Sequence, residues 1–489
     1  MDKLIDKYKK MPIQVKASFW FLVCAFLQKG ISILTTPIFT RLLTTDEYGQ
    51  FSVFNSWLGI LSVFISMNLF SGVYVQGLIK YEESKKQFSS AMQGLSLTLV
   101  TAWTIIYLLF HNFWNGLFSL TTVQMLSMLL LIWTSAVFQF WAVEQRVELK
   151  YQRLVTLTIF VSLARPILGI ILVSNAQDKV TARILGMVIV DVIAYSWLFF
   201  VQEIRGKVFF SKDIWKYAIL FNLPLIPHYL SMSVLSSADR IMIRDMVGAS
   251  EAGIYNLAYN ISLIMTMFNT ALMQTIEPWL YKKIKQEKVK DISKVAYSTF
   301  LIIAVVNVLL MALAPEVVAV FAPKSYYEAI YVIPPVVMSV YFMFAYSFFA
   351  VFEFYYEKTK LVMVATTASA VLNIVLNYIF IKFFGYMAAG YTTLICYILY
   401  AAFHYIFMRK ICDEKLNGEQ PYDLKIITLI SVAFMSIGFL FLATYRLPIA
   451  RYALLSGIIA VLIIKQRLII STVKNTFELK KESSQKEQM

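Results

Sequence analysis

An all-α integral membrane protein is the fold class this sequence predicts, and three observations predict it. Of 489 residues, 59% are apolar and only 15% charged, against about 45–50% and 25% in ordinary globular domains. Apolar runs long enough to cross a bilayer, which takes about 20 residues, recur along the whole chain. Lys and Arg fall in the breaks between those runs on alternate sides. A soluble chain of this length would need more charge to coat its domains. With only 17 Gly, 12 Pro and 3 Cys, collagen, disordered chains and disulfide scaffolds are excluded, and β-barrel strands are too short to explain the runs.

The runs lie near 17–39, 52–78, 90–111, 117–143, 154–174, 184–203, 216–238, 252–278, 296–321, 330–356, 361–384, 387–408, 426–445 and 448–470, with the weakest break carried by Arg446 and Pro448. This predicts about 14 transmembrane helices. Cytoplasmic loops hold an excess of Lys and Arg. With the N-terminus inside, the inner segments hold Lys3 to Lys16, Lys80 to Lys86, Arg146 to Arg153, Arg205 to Lys216 and Lys282 to Lys294, then Lys358, Lys360, Arg409, Lys410, Lys415, Lys425 and the basic tail. Outer loops hold Arg41, Lys179, Arg183, Arg240, Arg244, Lys324, Lys382, Arg446 and Arg451. Both termini are therefore expected in the cytoplasm. The net charge of +15 reads as orientation signal rather than a nucleic-acid surface, having no basic stripe interleaved with stacking aromatics. The first run reads as an uncleaved span, and Cys24, Cys396 and Cys412 form neither a disulfide framework nor a metal spacing.

An internal repeat divides the chain. Arg41 to Phe51 follows the first run, and Arg244 to Tyr255 the seventh; a shift of 204 residues superposes Glu47 on Glu251, Gly49 on Gly253 and Phe51 on Tyr255. The same shift sets Lys29, Ser32, Thr36 and Thr40 on Ser233, Ser236, Arg240 and Arg244, each set on one helix face. The predicted organisation is a basic N-terminus (1–16), a lobe of six helices (17–203), an inner loop (204–215), a second lobe of six helices (216–410), a loop (411–425), two appended helices (426–470) and a tail (471–489). Six spans per repeat keep both lobes in one orientation, related by a pseudo-two-fold axis along the membrane normal.

Charges inside spans cost at least about 2.5–3.5 kcal/mol, so they face a partner or a water-filled cavity. Lys29 and Arg165 are the deepest cations and Asp191 the deepest acid. They predict either an aqueous cationic cleft or a structural pair of Asp191 with one of the cations. Arg240 and Arg244 share a helix face beside Asp239 and Asp245. They either pair at the outer headgroup level or offer forked donors to phosphate or carboxylate. Glu277 and Glu353 are candidate ion-coupling carboxylates, with interfacial placement as the competing reading, and Asp191 and Asp239 join them as coupling or gating candidates. His111, His228 and His404 read as isolated polar positions. Pro224 and Pro227 are expected to break the seventh span and form a hinge. Thr366, Ser369, Asn373 and Asn377 share one face as a cavity wall or as interhelix glue. No Walker, dinucleotide, nucleophile-elbow or zinc motif is present; no catalytic residue, metal or enzyme activity is expected.

Leu223 to Pro227, Ser237 to Ile243, Ala252 to Tyr259 and the stretch from Pro37 through Gly49 together resemble the polysaccharide transporter family. These are the Wzx-type flippases of the multidrug/oligosaccharidyl-lipid/polysaccharide (MOP) superfamily. The resemblance implies alternating-access translocation of undecaprenyl-diphosphate-linked oligosaccharide repeat units across the bacterial cytoplasmic membrane, for O-antigen, capsule or exopolysaccharide synthesis. It further implies a cationic cavity for the diphosphate, to which Lys29 and Arg165 correspond by position, and H+ or Na+ coupling without a cofactor. Membrane lipids, a polysaccharide polymerase and chain-length proteins are the implied partners. Two alternatives stand beside it: an ion-coupled drug or metabolite exporter of the same superfamily, and a membrane polysaccharide polymerase, for which the outer loops are too short. The last two helices are expected to cover a groove for a polyprenyl tail.

Overall fold

The computed structural model describes residues 12–464; most of the expected basic N-terminus, the end of the last run and the tail lie outside the described residues. Among the described residues the chain is helical throughout, with 11 helical segments long and apolar enough to cross a membrane. In chain order the helices are α1 (Ile13–Leu42), α2 (Thr45–Ser66), α3 (Val73–Lys80), α4 (Lys85–Leu109), α5 (His111–Phe118), α6 (Thr122–Val147), α7 (Tyr151–Asn175), α8 (Lys179–Gly206), α9 (Lys212–Asn222) and α10 (Ile226–Met246). There follow α11 (Ala249–Ser262), α12 (Ile264–Lys285), α13 (Ile292–Ala312), α14 (Ala314–Phe321), α15 (Ile333–Tyr355), α16 (Thr359–Phe384), α17 (Ala388–Lys415), α18 (Leu424–Thr444) and α19 (Pro448–Ile464).

Eleven of the 14 predicted runs are among these segments, and the other three are also helical: α2 with α3 at 52–78, α11 with α12 at 252–278, and α19 at 448–464. The run at 52–78 is interrupted where Met67 and Asn68 take positive φ, so α2 and α3 are separate helices. The run at 252–278 is split at Leu263 into α11 and α12. The last run is described only to Ile464, as a 17-residue apolar helix. Hydropathy counts apolar residues and does not register a backbone break inside an apolar run.

The chain forms two compact units, Met1–Gly253 and Ile254–Met489. Helices α9 and α10 thus belong to the first unit, where α10 packs along α2. Lipid-facing helices are inverted relative to soluble ones. On α7, Phe160, Leu163, Ile167 and Ile171 form an exposed apolar stripe at helical spacing. In the second unit α15 is enclosed on nearly all sides, packing chiefly against α17, as its near-continuous apolar sequence predicts. Helices α13, α18 and α19 frame an apolar groove of about 1060 Å³, lined by Val305, Val308, Phe434, Ile437, Gly457 and Val461 among others.

Two start signals in the repeat motif are explained by capping. Thr44 Oγ1 accepts from Glu47 N at 3.2 Å while Glu47 Oε2 accepts from Thr44 N at 2.8 Å, a reciprocal capping box that starts α2. Glu251 occupies the first turn of α11, where a carboxylate complements the helix dipole.

Candidate functional site

The deepest acid of the first unit is held by one of its two deepest cations. Arg165 on α7 donates from Nε and Nη2 to the two carboxylate oxygens of Asp191 on α8, both at 2.5 Å. Asp191 is 1% exposed and the Arg165 side chain 35%, so the carboxylate is sealed while the guanidinium keeps an open side. The loop 176–178 between α7 and α8 is short, which makes the helices antiparallel neighbours and fixes the register of the pair. Of the two pairings open from sequence, the structure selects Arg165–Asp191. Lys29 lies exposed on α1, and α1 packs on α7, so the remaining deep cation stands on the helix adjoining the paired one.

The α10 charges are distributed differently. Asp239 and Arg240 are buried, and Arg240 Nη1 donates to its own helix at the Ser236 carbonyl. Arg244 pairs through Nε with Asp245 Oδ1 at 2.7 Å and reaches the Phe118 carbonyl at 3.3 Å. Its fork is therefore directed at protein groups in this structure.

The predicted break at Pro224 and Pro227 is present. Helix α9 stops at Asn222, a 3₁₀ turn covers Leu223–Leu225, and α10 starts afresh. The structure adds what the sequence did not suggest: this break meets the one between α2 and α3. Buried Asn222 donates through Nδ2 to the carbonyls of Met67 at 2.9 Å and Asn68 at 3.0 Å. Gly72 takes φ +60°, and a Cβ placed on it would lie 3.5–4.0 Å from Phe221, Tyr229 and Leu225. Backbone groups released by a helix break inside an apolar bundle need such partners.

In the second unit, Glu353 on α15 is fully buried within the protein, and His404 on α17 is not isolated. His404 Nδ1 lies 2.6 Å from Glu353 Oε1, and both side chains are 0% exposed. The sequence carried no signal for this, because the partners are 51 positions apart on helices that meet only in the fold. Glu277 on α12 accepts from Tyr281 Oη at 2.9 Å and lines a cavity of about 370 Å³ with Asn269, Gln274, Tyr346 and Ser347. The polar face of α16 is partly glue: Thr366 meets Tyr400 Oη at 3.1 Å and Asn377 accepts from Thr392. Among the described residues, no group of three or more His, Cys, Asp or Glu could hold a metal ion.

A family model described as "Polysaccharide biosynthesis protein" matches residues 15–284, and one described as "MatE" matches residues 224–379. An Lsg locus protein of Haemophilus influenzae is 23% identical over 377 residues, covering 73% of this chain and 89% of the relative. An uncharacterized membrane protein of the same organism is 24% identical over 371 residues, covering 73% and 88%. Among solved structures, the inward-facing conformation of a multidrug resistance MATE family transporter of the MOP superfamily matches with TM-score 0.61 at 14% identity, over 80% of this chain and 96% of that one. A MOP superfamily transporter from Pyrococcus furiosus matches with TM-score 0.53 at 14% identity, over 83% and 96%. At these identities the structures establish the shared fold.

Proposed function

The chain belongs to the polysaccharide biosynthesis protein family and has the fold of MOP superfamily transporters, and from that premise we propose that it is a lipid-linked oligosaccharide flippase. Its cargo in this reading is an undecaprenyl-diphosphate-linked repeat unit, moved to the outer leaflet of a bacterial cytoplasmic membrane by alternating access, with both termini in the cytoplasm. The observation that carries the reading is the family match across residues 15–284. The deep cations Lys29 and Arg165, with Arg240 and Arg244, are the residues proposed to meet the diphosphate, Asp239 to act with them in gating, and the break at Pro224 and Pro227 to serve as the hinge. The apolar groove between α13, α18 and α19 suits the polyprenyl tail. The lobes 17–203 and 216–410 are the proposed moving bodies.

Deleting the gene from its host tests the reading. Surface polysaccharide should disappear, its lipid-linked precursor should accumulate on the inner leaflet, and a plasmid copy should reverse both. Normal surface polysaccharide in the deletion strain would overturn it. The second reading, an ion-coupled multidrug exporter, is favoured by the "MatE" match over residues 224–379; it predicts instead a drop in resistance to cationic drugs with polysaccharide unaltered.

A further inference from the structure

We propose that Glu353 and His404 form a proton-binding pair in the second unit, reached through the cavity that Glu277 lines. Four observations carry it. The pair is tight, at 2.6 Å, and wholly enclosed. It is also unsaturated: the second carboxylate oxygen of Glu353 and Nε2 of His404 are both buried without a hydrogen-bond partner. With Nδ1 protonated toward Glu353, Nε2 of His404 keeps a lone pair at which a proton can bind.

The third observation is electrostatic. With the imidazole neutral and the carboxylate ionised, the pair carries one negative charge. One added proton brings the pair to zero net charge, whether it rests on the ring or on the carboxyl group. A net charge is expensive in an apolar interior and a neutral pair much less so, so proton occupancy switches the electrostatic state of the core around α15. A buried ionisable pair among apolar helices is a functional-site candidate by default. An imidazole and a carboxylate already bonded to each other suit a proton, whereas a hard metal cation takes several oxygen ligands.

The fourth observation is access. The Tyr346 ring lies 5.5 Å from the His404 ring, centroid to centroid, and the same tyrosine lines the 370 Å³ cavity with Glu277, Gln274 and Asn269. From α17, Tyr400 stands edge-on to His404 at 4.5 Å, and its hydroxyl is engaged by Thr366 of α16. Tyr405 and Tyr422 pack on Phe349, with Tyr422 also against Phe352, one turn from Glu353. Helix α13 offers Phe300 to this part of α15, and α18 offers Ser431 and Phe434 at Tyr341. The acid that lines the cavity with Tyr346 is Glu277.

What the proton drives rests on the flippase reading; that it binds here does not. The test is infrared pH-difference spectroscopy on the purified full chain. The wild type should show a buried carboxyl signal that titrates with pH. Glu353→Gln should remove it, and His404→Gln should move its midpoint by about one pH unit or more. If Glu353→Gln does not purify as a monodisperse protein, the His404→Gln shift decides alone. Difference spectra identical in wild type and His404→Gln would overturn the pair while leaving the flippase reading intact. Normal surface polysaccharide in the deletion strain would overturn the flippase reading while leaving the spectral result standing.

Discussion

Gly49 and Gly253, equivalent in the internal repeat, pack against each other's backbones reciprocally. A Cβ on Gly49 would overlap the Ala249 carbonyl and lie 2.9 Å from Gly253 N; a Cβ on Gly253 would overlap the Thr45 carbonyl and lie 3.0 Å from Gly49 N. Thr45 and Ala249 are themselves equivalent in the repeat, so each half of the contact mirrors the other. This is the signature of a local two-fold between the first turns of α2 and α11, reinforced by Ser250 Oγ donating to Thr45 Oγ1 at 2.7 Å. Gly49→Ala and Gly253→Ala should each destabilise the fold by about 1–3 kcal/mol, the usual range for overpacking. Because the two sites share one contact, the double variant should depart from additivity. Thermal unfolding of the purified variants, followed by loss of monodispersity, measures both effects.

Arg165→Ala should be more damaging than its exposure suggests, because it strands Asp191 in an apolar interior. Removing one partner of a buried pair costs about 3–5 kcal/mol. Adding Asp191→Asn to Arg165→Ala should recover part of that loss by neutralising the stranded carboxylate. A melting temperature in the double variant no higher than in Arg165→Ala would show that the pair does not stabilise the unit.

Lys29 provides a cleaner test of the cationic cleft. On the flippase reading, Lys29→Ala should reduce surface polysaccharide with protein level unchanged, and Lys29→Arg should be milder than Lys29→Glu, since charge rather than shape meets a diphosphate. Quantitative blotting of polysaccharide and protein in a complemented deletion strain reads the series. Three variants exporting alike would remove Lys29 from the site.

Asn222→Leu should be destabilising by about 1–3 kcal/mol, because the Met67 and Asn68 carbonyls lose their donor. Asn222→Asp removes the amide donor with little change in shape and should not restore stability. Recovery to wild-type melting in either variant would mean that water or a neighbouring group satisfies the break.

The sequence exposes some of these features and hides others for physical reasons. Apolar runs and flanking charges disclose where helices cross, because lipid imposes composition directly. The break at Asn222 is readable because proline lacks an amide hydrogen; the break at Met67 and Asn68 is harder to read, because a single Asn inside an apolar run is a weak turn signal. Arg165–Asp191 is visible as one of two pairings because a short loop forces α7 and α8 together. Glu353–His404 is invisible because only the packing of α15 against α17 joins its halves. The glycine match emerges from the repeat, but its meaning as a close approach emerges only from coordinates.

Arg451 on α19 donates to Glu316 on α14, which also accepts from Tyr452 at 2.6 Å. Glu316 is translated 135 positions ahead of this arginine, so the last helix brings its cation to an acid already in place. A chain that stops before α19 leaves Glu316 without this ionic partner. Truncation of residues 420–489 accordingly removes both a groove wall and a charge partner. Combining that truncation with Glu316→Gln separates the two, since the neutral side chain removes the orphaned charge while the groove stays open.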